Sequence, residues 1–222
     1  MKTTLTRFFS ACTLLLAAAL LGGCATPVPY DYSAFKKSRP ASLLVLPPIN
    51  ETADIKATLG VMATATLPLA EAGYYVLPVA LVDETFKQNG LSIANDIHEV
   101  PAAKLRDIFG ADAAVYMRVK KYGTVYLVVG SETRVTVDCR MVDLRSGEQI
   151  WAGQATASSQ EGGGGNQAGL IGLLVMAVVN QIAATVTDAS FNYSAIANQR
   201  LLGAPMKNGV LYGPRAAEYQ KE

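Results

Sequence analysis

One histidine, His98, is all the imidazole that 222 residues contain. General acid–base catalysis, catalytic triads and most transition-metal sites draw on histidine. With no second His, no Cys-x-x-Cys pair and no carboxylate cluster, the chain is expected to be no enzyme and to hold neither metal nor cofactor. Ser131, Ser158 and Ser159 lack the Gly-x-Ser-x-Gly elbow and the Ser-x-x-Lys context of activated serines. His98 lies between Asp96 and Pro101 in a polar stretch and reads as a solvated loop residue. Asp83-Glu84, at the start of an expected helix, read as carboxylates placed for its macrodipole rather than as a catalytic pair. Gly162 to Gly165 come four together without the spacing, strand or lysine of a phosphate loop, which leaves a hinge or loop.

A basic excess is missing too. The formal charge is +1, but Lys2 and Arg7 lie ahead of an apolar run; without them 17 basic residues face 18 acidic ones. No basic stripe interleaved with aromatics remains, so nucleic acid is not an expected partner.

What is present begins at the N-terminus. Lys2 and Arg7 form a positive n-region, residues 8–21 an apolar h-region too short to span a bilayer, and small residues follow. That is a signal peptide, residues 1–23. Its end, Leu21-Gly22-Gly23-Cys24, resembles a bacterial lipobox, with cleavage between Gly23 and Cys24 and diacylglycerol on the Cys24 thiol. The alternative is a conventional cleavage site beside an incidental thiol. Two or three acyl chains, palmitate among them, anchor a protein stably, so the expected membrane contact is lipid on Cys24. Ala25, rather than Asp, implies sorting to the outer membrane, facing the periplasm or the cell surface. Residues 24–40, with Pro27, Pro29 and Pro40, read as a lipidated N-terminus and flexible tether, reaching at most about 55 Å. Cys12 leaves with the signal and Cys24 is consumed by lipid. Cys139 is left alone, read as a small buried hydrophobe with a reactive or intermolecular thiol as alternative.

The folded part reads as α/β. Ser42-Leu-Leu-Val-Leu-Pro-Pro48 is a buried strand. Residues 53–72 follow at helical spacing through Ile55, Leu59, Met62, Thr66 and Leu69, with Pro68 expected to kink or split the helix. Tyr74-Tyr-Val-Leu-Pro78 is a second strand, residues 79–89 a helix closed by Gly90, and Pro101 to Gly110 frame a short third helix. A third strand begins at Ala113, and alternating stretches at 116–129, 132–144 and 148–157 then make an antiparallel meander. Val135, Val137, Cys139 and Met141 face a core, and Arg134, Thr136, Asp138 and Arg140 face out. The expected domain, residues 41–190, is three-layer-like, a mixed sheet of parallel first strands and then the meander, packed by helices. Residues 170–186 (LIGLLVMAVVNQIAATV) read as a helix docked on the sheet, with a subunit interface or a membrane-inserting segment as alternatives; Leu170, Leu173, Leu174 and Val178 would carry an interaction. Residues 191–222 read as an irregular C-terminal strap pinned by Tyr193, Tyr212 and Tyr219.

The succession of that first strand, helix, Gly73-Tyr-Tyr-Val-Leu-Pro, helix, Phe109-Gly-Ala-Asp-Ala-Ala-Val-Tyr and Val142-Asp-Leu-Arg-Ser-Gly-Glu-Gln-Ile-Trp151 resembles the TolB amino-terminal domain. It is similar also to the curli-secretion channel lipoprotein and to the lipoprotein activator of a penicillin-binding protein. Tyr32-Ser-Ala-Phe-Lys-Lys-Ser-Arg-Pro40, Pro68-Leu-Ala-Glu-Ala-Gly, Asp83-Glu-Thr-Phe-Lys-Gln-Asn-Gly90, Ile97-His-Glu-Val-Pro101 and Tyr212-Gly-Pro214 resemble neisserial-type surface lipoproteins of unassigned function. That resemblance implies no catalytic residue and implies envelope-protein partners, including a curli-channel-like lipoprotein, with a homodimer as one further assembly. The expected role is non-enzymatic binding or assembly in secretion or envelope maintenance. An activator of peptidoglycan synthesis and a pore-forming subunit of a secretion channel are the alternatives; only 122–130 with the strand after it would supply a membrane-crossing hairpin.

Overall fold

Leu43, Leu44 and Val45 make an uninterrupted apolar run that can be satisfied only where a strand is covered on both sides. All three are fully buried. The computed structural model describes residues 30–126, 130–161 and 188–221, and the compact unit that holds the sheet spans Asp31–Glu222. Expectations placed on residues 1–29, among them Gly23 and Cys24, and on 170–186, with Leu170, Leu173, Leu174 and Val178, lie outside those residues.

The elements are α1 Ser33–Ser38, β1 Ser42–Val45, β2 Ile49–Asn50, α2 Ala57–Glu71, β3 Tyr75–Val76, α3 Val79–Gln88, α4 Ala94–His98, α5 Ala102–Phe109, β4 Ala113–Tyr126, β5 Ser131–Asp143, β6 Gln149–Ser158 and α6 Ala189–Leu202. They form one mixed sheet in the order β3-β1-β4-β5-β6, with β2 also on β4. β1 pairs parallel with β3 and β4, each crossover made by helix, whereas β4, β5 and β6 run antiparallel. The expected parallel-then-meander sheet is therefore the observed one. Helix α5 starts after Pro101 and stops at Gly110, whose left-handed φ of 67° costs a glycine nothing.

The sheet has two unlike faces. Directly opposed residues share a face, so Met141 with Trp151 and Cys139 with Gly153 lie together. Leu201 of α6 comes 3.1 Å from where a Cβ on Gly153 would stand. Helix α6 thus lies over the Val135, Val137, Cys139 and Met141 face, beside α2. Cys139 is buried there and desolvation pushes its thiol pKa up, as a small interior hydrophobe would have it. Arg118 and Arg140 are exposed on the other face.

Three expectations are corrected. The tether does not run to Pro40: residues 33–38 are helix, Phe35 is buried, and the Tyr32 hydroxyl donates to the Gly209 carbonyl at 2.7 Å. The reason is tertiary. Asp143, 3% exposed, accepts from Ser38 Oγ at 2.5 Å, from Arg145 Nη2 at 2.7 Å, and from the N–H groups of Arg145 and Ser146 at 2.7 and 3.0 Å. Arg145 also donates to the Ser38 carbonyl, satisfying an acceptor that the end of α1 leaves open.

The strap, second, is not irregular from residue 191, because α6 occupies 189–202 with the Asp188 side chain capping the Ser190 N–H. Beside the apolar Ala197, Leu201 and Leu202, part of its buried face is polar: Ser194 Oγ and Asn198 Nδ2 lie 3.1 and 2.8 Å from Thr64 Oγ1 of α2, and Asn198 donates to the Val61 carbonyl at 2.9 Å.

Third, the expected apolar positions of α2 are only partly inward: Met62 and Leu69 are buried, but Ile55 and Leu59 are 89% and 62% exposed. Small residues share the inward side, Ala57, Gly60, Thr64 and Ala65, and a Cβ on Gly60 would meet the Tyr122 hydroxyl at 2.6 Å. Pro68 stays inside α2 without splitting it.

Candidate functional site

The open sheet face carries a polar groove of about 400 Å³. Its floor comes from alternate residues of neighbouring strands, Tyr116 and Arg118 of β4 and Asp138 and Arg140 of β5; α4 supplies one wall through Asn95 and His98. The register sets Tyr116 directly opposite Arg140 and Arg118 opposite Asp138.

Around Tyr116 three side chains stack. The His98 ring meets it edge-on at 5.2 Å, 85° between planes, and the Arg140 guanidinium lies 4.0 Å from its centroid. His98 Nε2 is 3.0 Å from the Pro47 carbonyl, which can only accept, so Nε2 carries the proton and Nδ1 is the acceptor. Desolvation by burial drives the His98 pKa down to about 4 against the support of the Pro47 bond, and the positive charges of Arg140 and Arg118 add to the fall. His98 is thus neutral near pH 7, tied through one nitrogen, and a weak base at the other. The expected solvated loop position is corrected: His98 ends a helix and is half-buried against the sheet.

Neutral in the fold and ordinary when unfolded, His98 makes stability fall as pH drops below its unfolded value near 6.5 and on toward 4. Being the only histidine, it should account for the loss of urea midpoint between pH 7 and 5. A His98→Asn chain is expected to show a flatter profile there; an equal slope would mean that His98 is not neutral in the fold.

The carboxylates of Asp96 and Glu99 also line the groove, while the other cations of β4 and β5 nearest Arg140 are paired. Arg118 and Lys120 share Glu51 at 2.9 and 2.7 Å, and their hydrogen bonds hold its carboxyl below the usual range. Arg134 pairs with Glu132. Arg140 has no carboxylate within ion-pair distance among the described residues, and its guanidinium is fixed by Tyr116 alone. Such a group can hold a carboxylate or another oxyanion from outside the chain. No group of three or more metal-ligating side chains occurs among the described residues.

Asp83 and Glu84 play no part in the groove. Asp83 accepts from Lys87 at 2.5 Å and Glu84 from Gln88 at 3.0 Å, ordinary i,i+4 pairs past the first turn of α3. Asp112 of the Phe109-Gly-Ala-Asp stretch is structural, its Oδ2 accepting the N–H groups of Ala41 and Ser42 at 2.9 and 3.0 Å. Alternation alone had put Asp138 and Arg140 on a polar face. Tyr116 was hidden in a continuous apolar run, and His98 carried no sign of its carbonyl partner 51 residues earlier.

The family described as "Putative lipoprotein GNA1162-like" matches residues 30–215. A relative from Neisseria meningitidis serogroup B (strain ATCC BAA-335 / MC58), "Putative lipoprotein NMB1124/NMB1162", is 50% identical over 191 residues, 86% of this chain and 88% of its own. The crystal structure of lipoprotein GNA1162 from Neisseria meningitidis, 50% identical, is matched over 66% of this chain and 100% of that one with a TM-score of 0.54. A PelC dodecamer from Paraburkholderia phytofirmans, 18% identical, is matched over 61% and 78% of the two chains with a TM-score of 0.39.

Proposed function

Because the chain belongs to the GNA1162-like lipoprotein family, we propose that lipid on Cys24 holds it at the outer membrane. There it acts as a non-enzymatic binding or assembly component, with the groove around Tyr116 and Arg140 as the surface that meets its partner. The observation carrying this reading is Arg140. It is the arginine of β4 and β5 without an internal carboxylate, held over an aromatic ring on an open sheet face. A partner offering an acidic side chain or chain terminus fits it. His98, neutral and tied to Pro47, supports orientation of that partner rather than proton transfer.

The shortened tether favours a partner close to the membrane. With folded structure beginning at Asp31, the chain from Cys24 extends at most about 25 Å, which counts against activation of a cell-wall synthase across the periplasm. On β4 and β5, charged Arg118, Lys120 and Arg134 do not suit the lipid face of a pore hairpin.

A photocrosslinking residue at Gln149, on the groove, tests the reading in intact envelopes. One discrete partner is expected, and Arg140→Glu should cut its yield by about tenfold or more. The melting temperature should barely move, since Arg140 is exposed. Lys104→Glu, on the exposed side of α5, should leave the yield as it was. Equal yields from Arg140→Glu and the parent chain would remove the groove as the binding surface.

A further inference from the structure

The groove over Tyr116 holds charge of both signs. Asp96 lines it from α4, and Glu99 from the residue that caps that helix. Both are exposed, and neither carboxylate has a hydrogen bond or an ion pair among the described residues. The Arg140 guanidinium is in the same condition on the floor, held by the Tyr116 ring at 4.0 Å. Unlike charges therefore share a cavity of about 400 Å³ without meeting. Elsewhere on these strands the chain pairs its charges, Arg118 and Lys120 with Glu51 and Arg134 with Glu132.

The packing explains the separation. His98 lies between Asp96 and Glu99 in the chain and meets the Tyr116 ring edge-on at 5.2 Å, while Arg140 lies over that ring. The acidic wall and the basic floor are thus joined through two uncharged rings, His98 being kept neutral by its burial. A ligand of one sign would satisfy one side of this groove and be repelled by the other. A ligand carrying both signs satisfies both.

We propose that the groove recognises a zwitterionic stretch of peptide, which sets a carboxylate on Arg140 and a neighbouring ammonium or guanidinium on Asp96 and Glu99. This rests on the reading of the groove as the surface that meets a partner, and names what that surface selects. The planar fork of Arg140 takes the carboxylate. The wall supplies the selectivity, because it turns away phosphate and purely acidic segments that Arg140 alone would accept. The volume lies near the small end of ligand pockets, with room for a pair of side chains rather than a folded surface.

The test uses the mature chain, residues 24–222, with Cys24→Ser, and reads the ring signals of its single histidine by proton–carbon NMR at pH 7. Capped peptides are titrated in at low salt, where charge pairs are least screened. The first carries glutamate and lysine side by side, the second glutamate and glutamine, the third glutamine and lysine. The first is expected to bind at least about tenfold tighter than the other two. Asp96→Asn with Glu99→Gln should weaken the first and strengthen the second until they bind alike. Arg140→Gln should bring the first down to the level of the third. All three side chains are exposed, so the melting temperature should hold. Equal affinity of the parent chain for the first and second peptides, or no shift of the His98 signals with any, would overturn the proposal. Free lysine binding as tightly as the first peptide would overturn it in favour of a small zwitterion. Crosslinking from Gln149 separates it from the reading it rests on. Asp96→Lys with Glu99→Lys should cut the yield as Arg140→Glu does; a crosslink that needs Arg140 but survives the two lysines would keep the partner surface and sink the zwitterion.

Discussion

Trp151→Ala is expected to lower the unfolding free energy by about 3–5 kcal/mol, which would bring a domain of ordinary stability close to unfolding at growth temperature. Trp151 is 1% exposed, and its ring lies across Gly153, where a Cβ would meet ring carbons at 2.7 and 2.9 Å. The indole N–H donates to the Asn208 carbonyl at 3.1 Å, and the neighbouring Gly209 carbonyl receives the Tyr32 hydroxyl. One side chain thus joins β6, α6, the C-terminal segment and the start of the fold. Trp151→Phe keeps much of the volume but strands the Asn208 carbonyl, and should cost about 1–3 kcal/mol. Urea denaturation followed by circular dichroism reads both. An alanine variant within about 1 kcal/mol of the parent would mean that the ring is not packed as described.

Asp143→Asn should cost about 2–3 kcal/mol and should release α1 before the rest unfolds. The carboxylate is buried, and donors from Ser38, Arg145 and Ser146 converge on it. Burial alone would raise its pKa, but the bonds from Arg145, Ser38 and Ser146 outweigh that and hold it well below the usual carboxylate range. A folded value depressed below the unfolded one gives a contribution that is complete at neutral pH. It begins to be lost as the pH falls through the unfolded value near 4, and goes on being lost at lower pH. In the asparagine variant that acid-side loss should shrink, and trypsin should cut after Lys36 or Lys37 faster than in the parent chain. Unchanged cleavage would show that the Phe35 contacts hold α1 without the carboxylate.

These variants touch what the sequence concealed. The meander was legible because a half-buried antiparallel strand alternates: Val135, Val137, Cys139 and Met141 against Arg134, Thr136, Asp138 and Arg140. Helices α3 and α5 were legible from Pro78, Pro101, Gly90 and Gly110 at their ends. Helix α1 was not, because six residues among prolines have no local reason to be helical, and what stabilises them lies 105 and 107 positions away. Helix α6 was missed because its inward positions Ser190, Ser194 and Asn198 are polar, which breaks the apolar period that marks a buried face. Of the groove, the charged residues were readable from alternation. The stack of His98, Tyr116 and Arg140 was not, since it depends on the meeting of α4, β4 and β5.

The hydroxyl and amide ladder between α2 and α6 acts as a notch. Two helices joined only by hydrocarbon can slide or turn on one another at small cost, whereas Asn198 finds the Val61 carbonyl and the Thr64 hydroxyl in one alignment. A slip of one turn would leave those groups buried without partners, at about 1–3 kcal/mol each. The notch therefore indexes the whole of α6. It sets Asp188 beside Lys56 at one end and Arg200 beside Glu161 at the other, so the chain leaves the sheet after β6 and returns to it at two fixed points.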